Sequence, residues 1–212
     1  MSYISTTAPQ EATGPVAELY SRLQGDAAYL PNYARVFCHR PELMASIGSL
    51  MKALRAPMQP RLWDLVNLAA ARASHSSYCS LAFANKLINK HFSEIEVLEI
   101  VNNSDRSPVQ EAEREAMAFA AKLARDSSSV QERDIETLRQ CGFDEMEIFD
   151  IAIAAAWRCF FARVPDALGV QPDRALGDIN KDLLAALLVG RQLEPETNLQ
   201  QRSVESSPAL QA

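Results

Sequence analysis

The chain has 212 residues, 48 % of them hydrophobic, with a formal charge of −6. That hydrophobic share excludes global disorder and suffices for one well-cored domain or two small ones. The acidic balance, with no basic patch on any predicted helix, excludes nucleic acid, whose phosphates need clustered positive charge.

Only 7 glycines, among many alanines and leucines, point to helix. Residues 1–14 have no basic start and no apolar run, so they do not read as a secretory signal. Val16, Leu19, Tyr20 and Leu23 outline a first helix over 15–23. Pro31 opens a short helix with Tyr33, Val36 and Phe37, and Pro41 opens the next, over 41–54. An Ala/Leu-rich central helix over 61–73 ends at His75-Ser76-Ser77, and another follows over 78–90. Ser93 and Glu96 form a capping-box signature for a helix through Ile100. After a loop over 102–108, Val109, Ala116, Phe119 and Leu123 mark a long amphipathic helix. A serine linker and a short helix with Ile135 and Leu138 lead to 144–162, apolar on most faces and so expected as a buried central helix. Leu176, Ile179, Leu183, Leu184 and Leu187 suggest one more amphipathic helix, and from Glu194 the chain reads as a mobile tail. No strand alternation appears, so the expected fold is all-α, with about ten helices by this periodicity.

The stretch from Ile148 to Phe161 is interrupted by Asp150 and Arg158 and is too short to span a bilayer, which takes about 20 apolar residues. Cys38, Cys79, Cys141 and Cys159 are far apart and form neither a disulfide framework nor a zinc pattern. Reduced thiols in a cytoplasmic protein are the expectation.

The run Asp64-Leu65-Val66-Asn67-Leu68-Ala69-Ala70-Ala71-Arg72, a break, then Tyr78-Cys79 resembles the alkylhydroperoxidase-D-like, carboxymuconolactone decarboxylase superfamily. The segment from Phe161 to Val170 looks like the end of the same fold. The resemblance implies an all-α multi-helix bundle over 14–172, usually homo-oligomeric; outside it the chain reads as a segment over 1–13, a helix over 173–191 and a tail over 192–212. Such proteins carry an acid, a Cys-x-Tyr-Cys motif and a histidine. On that pattern Asp64 takes the acid position and Cys79 the second cysteine, while Ser76 replaces the first cysteine and Phe83 the histidine.

Cys79 falls at a helix start, where unpaired N–H groups and the helix dipole favour thiolate. It reads either as a peroxidatic nucleophile or as a small buried hydrophobe. Ser76 reads as an N-cap or as a hydrogen-bond donor to the sulfur. Asp64 is either a buried proton relay with a raised pKa or a solvated or paired carboxylate. His75 could stand in for the missing base if the turn folds it back, or could interact with the helix end. His75-x-x-x-Cys79 has helical metal-pair spacing without a third ligand, and nothing implies a metal or organic cofactor. Cys159, Cys141 or Cys38 could resolve an oxidised Cys79, and Trp63, Trp157, Tyr78 and Phe160 could line an apolar pocket.

The resemblance therefore implies a peroxidase-type antioxidant oxidoreductase, reducing a hydroperoxide through Cys79 with an external thiol. A non-catalytic oligomeric binding module and a lactone decarboxylase are the alternatives. No nucleic-acid or membrane partner is expected.

Overall fold

Helix starts in this chain are written by prolines and returning carboxylates. Proline occupies the first turn of α1 (Gly14–Gln24), α3 (Pro41–Arg55) and α4 (Pro60–Ala73), where a missing N–H costs nothing. In α6 (Glu94–Val101) the Ser93–Glu96 capping box is complete. The same reciprocal pair, Asp144 with Glu147, opens α9 (Glu145–Ala167). Glu113 accepts from the Gln110 N–H at the start of α7 (Glu111–Arg125), and Asp134 from Gln131 at α8 (Glu132–Gln140). With α2 (Asn32–Val36), α5 (Ser77–Lys90) and α10 (Lys181–Leu187), ten α-helices and no strand lie among the described residues of this computed structural model, 2–25 and 29–196.

The central element is α4. Every residue from Trp63 to Ala71 is buried, because the helix packs on α5, α7 and α9 at once. Helix α7 also packs on α9, α1 on α3, and α6 on α5 and α10. Each leucine or valine fully withdrawn from water in this core contributes about 1.5–3 kcal/mol. Among the described residues no helix is long and apolar enough to cross a membrane.

Three sequence expectations change. Helix α9 runs past Ala162 to Ala167, through Pro165. It is not buried all round, since Met146, Phe149 and Phe160 are exposed. The leucine-rich segment after residue 173 is not one helix. A 3₁₀ turn over Arg174–Gly177 breaks off where turn formers Gly177, Asp178 and Asn180 cluster, and α10 restarts with Asn180 accepting from the Asp182 and Leu183 N–H groups.

The chain then crosses the α4–α5 turn. Gly190 N–H donates to Ser77 Oγ at 2.8 Å, Arg191 donates to the Asp166 carbonyl, and Glu194 N–H donates to the Pro172 carbonyl. Of the expected tail, 192–196 thus lies along the body, and 197–212 lies outside the described residues.

Candidate functional site

The site begins at the turn between α4 and α5. His75 has φ +57°, a left-handed turn that reverses the chain after Ala73. Ser76 is then extended as the N-cap residue, and Cys79 falls in the first turn of α5, where N–H groups lack intrahelical partners.

Cys79 is only 4 % exposed and packs against Ala71 of α4 and Ala162 of α9, with Phe161 alongside. The two alanines let three helices meet at the sulfur. Arg158 reaches it from α9, Nη1 lying 3.4 Å from Sγ. The guanidinium is held from behind: Nε donates to Asn67 Oδ1 at 2.8 Å, and Asn67 Nδ2 donates to the Trp63 carbonyl at 2.8 Å. Arg158 also lies over the rings of Phe83, at 4.5 Å, and Phe161, at 5.5 Å. Lys86 sits 4.3 Å from the same Phe83 ring. Although Lys86 as a whole is exposed, withdrawal of its ammonium from water lowers its pKa. The position where a base was missing is thus an aromatic support for two cations.

Asp64 lies on the Asn67 and Ala71 face of α4 and is buried, with Oδ2 unpartnered. Burial pushes its carboxyl up, against the fields of Lys86, Lys90, Arg55 and His91. Among the described residues no hydrogen bond links it to Cys79. Seven residues separate Asp64 from Ala71, about 10 Å of helix rise, with Asn67 between them.

Neither reading of Ser76 is realised as a hydrogen bond. Its buried hydroxyl caps no N–H and reaches no sulfur. It faces Asp166, whose carboxyl burial raises and Ser76 partly restores, short of a well-formed hydrogen bond. His75 is not folded back onto the sulfur. Its left-handed backbone turns it outward, and it lines a cleft with Arg72 and Asn103.

All four cysteines are free. Cys159 is buried, with the Ser74 hydroxyl 3.4 Å from its sulfur. Cys38 receives the Thr7 N–H, and Cys141 lines a separate cleft with Glu111 and Glu115. The four aromatic residues do not share a pocket. Trp157 packs tilted against Phe160, whereas Tyr78 turns to Tyr33 and donates to Asp173. Asp173 also accepts from the Asn32 N–H at 2.8 Å, and burial raises both Asp173 and Tyr78. Cys79's neighbour is thereby tied to α2.

Arg158 and Asn67 are the residues beside Cys79 that sequence reasoning missed. The signal was an arginine inside the apolar run from Ile151 to Ala162, since a buried guanidinium must have partners. Chemically, the arrangement offers a thiol in a water-poor site beside a fixed cation, suited to stabilising negative charge on sulfur or on an attacked oxygen.

Compared by sequence, the chain matches no family model and no curated protein. Compared by structure, it is similar to a peroxidase-related protein of Ralstonia eutropha JMP134, described as an alkylhydroperoxidase AhpD core, with TM-score 0.72 and 21 % identity over 82 % of this chain and 94 % of that one. A peroxidase-related protein of Silicibacter sp. TM1040 follows at TM-score 0.69 and 19 % identity, covering 82 % and 95 %. The debrominase Bmp8 is similar at TM-score 0.69 and 20 % identity, covering 86 % and 96 %. A cysteine-to-alanine variant of that debrominase was solved with 2,3,4-tribromopyrrole. The chain has the all-α alkylhydroperoxidase-D-like fold.

Proposed function

We propose that the protein is a single-cysteine, thiol-dependent peroxidase that reduces a small hydroperoxide at Cys79. The observation carrying this reading is the Arg158–Cys79 contact at a helix start, with Asn67 fixing the guanidinium. In the first step the Cys79 thiolate attacks the terminal peroxide oxygen. An S–O bond forms, the O–O bond breaks, the cysteine is oxidised to sulfenic acid, and the leaving alkoxide takes a proton to become an alcohol. Arg158 accompanies the negative charge as it passes from sulfur to oxygen. Ser76 cannot form a disulfide, so an external thiol condenses with the sulfenic acid, releasing water. A second thiol then frees Cys79 and leaves as a disulfide.

The test is intact-mass spectrometry with a sulfenic-acid trap after brief hydroperoxide exposure, on wild type, Cys79→Ser and Arg158→Met. The expected result is one rapid adduct, absent in Cys79→Ser and slowed in Arg158→Met. Adducts unaffected by either substitution would overturn the reading.

A second reading, reductive dehalogenation, is favoured by the structural likeness to the debrominase. There the thiolate would take bromine from a ring carbon to give a sulfenyl bromide, the carbon would take a proton, and two external thiols, oxidised to a disulfide, would release bromide and return free cysteine. Tribromopyrrole consumption under the same thiol supply separates the two.

A further inference from the structure

On another face of α4, away from Cys79, a cleft of about 540 Å³ opens between α4, α6 and α7. Positions 64, 67 and 71 share the cysteine-side face, whereas 68, 69, 72 and 73 line this cleft, as a 3.6-residue repeat requires. The volume falls within the ~300–1,000 Å³ of small-molecule sites.

The cleft's chemistry is two-sided. Leu68, Ile100, Val109, Met117 and Val189 give an apolar wall. Around it stand Arg72, His75, Arg114 and Arg125, against one carboxylate, Glu115. In a chain of formal charge −6, three arginines over an apolar wall are a local inversion of charge. Among the described residues neither Arg114 nor Arg125 forms an ion pair. Arg72 is anchored by Nη1 on the Val101 carbonyl at 2.6 Å, while its Nε is buried without a partner. Withdrawal from water costs this guanidinium part of its solvation, which an incoming anion would replace.

We infer that this cleft binds an amphipathic monocarboxylate, its alkyl chain on the Leu68–Met117 wall and its carboxylate on the arginines. An alcohol of equal length would leave the cations unmatched, and a short acid would leave the wall wet. The site is independent of the Cys79 reading, because it uses a different face of α4 and none of its thiol chemistry.

Isothermal titration calorimetry with decanoate, decanol and acetate tests it. Decanoate should bind saturably in about the micromolar to tens-of-micromolar range, with decanol and acetate at least about tenfold weaker. Arg114→Ala/Arg125→Ala should weaken decanoate by about tenfold, since it removes two exposed charges without touching the core. Arg72→Met should do the same, but Arg72 also holds Val101, so the exposed pair is the arm that keeps the fold intact. No saturation with decanoate to about 1 mM, equal binding of decanol, or an unchanged affinity in the double variant would each overturn the inference.

Discussion

Arg158 touches the Cys79 sulfur at 3.4 Å while its Nε is committed to Asn67 at 2.8 Å, so one guanidinium links the cysteine to the buried middle of α4. Its orientation is set by that second bond and by the Phe83 and Phe161 rings rather than by the sulfur. Removing the charge should therefore change sulfur chemistry more than packing. We expect Arg158→Met, which keeps the apolar stem and removes the guanidinium, to slow iodoacetamide alkylation of Cys79 at neutral pH by about tenfold. Cys79→Ser serves as the blank. Equal alkylation rates would mean that the contact does not govern reactivity.

Asp64 is a carboxyl that the fold does not satisfy. Burial raises its pKa, and Oδ2 has no partner. A carboxyl with a raised folded pKa keeps its proton while the unfolded chain has already lost one. Stability contributed there is present below the unfolded value, 3.8, and is lost as pH rises through the folded value. Asp64→Asn should thus stabilise the protein at pH 7 and have little effect near pH 3.5. With an unsatisfied buried oxygen costing on the order of 1 kcal/mol, the gain in Tm at pH 7 is about 2–4 °C. Thermal melts of both proteins across pH 3.5–7 check it. A Tm difference constant with pH would show that Asp64 does not titrate in that window.

The helix order was legible because periodicity, prolines and capping residues are local signals, as the Ser93–Glu96 box shows. The C-terminal break was legible only in part. The leucine spacing continued across Gly177–Asn180, but the turn residues overrode it. At the site, the position of Cys79 in the first turn of α5 could be read from Ser76 and the apolar pattern. Its contact with Arg158, 79 residues away, depends on how α9 packs on α4, and local spacing carries no record of that. His75 lies in another cleft, away from the sulfur, because its own left-handed backbone, not visible in the pattern, turns it outward.

Gly190 shows how the last described segment is held over the α4–α5 turn. A Cβ there would collide with the His75 carbonyl oxygen, a backbone atom that cannot swing aside. Its N–H meanwhile donates to Ser77 Oγ at the start of α5. Gly190→Ala should lift this segment and cost on the order of 1–3 kcal/mol. Amide hydrogen exchange should accelerate at Gly190 and in the first turn of α5, while the middle of α4 stays protected. Unchanged protection at Gly190 would mean that the strap accommodates a methyl group.

Phe83 holds Arg158 and Lys86 at 4.5 and 4.3 Å from its ring, at the position where the resemblance implies a histidine. An imidazole there would sit beside two cations, and both oppose its protonation. It would be neutral at pH 7 and able to take the Cys79 proton. The cost is a weaker support for Arg158 and a polar ring in an apolar setting, on the order of 1–3 kcal/mol. We expect Phe83→His to raise the rate of hydroperoxide consumption several-fold while lowering Tm by several degrees. Stopped-flow consumption, paired with Cys79 alkylation on the same variant, distinguishes the outcomes. If both rates fall together, the ring's support of Arg158 outweighs the gain of a base, and the cation rather than proton abstraction controls the sulfur.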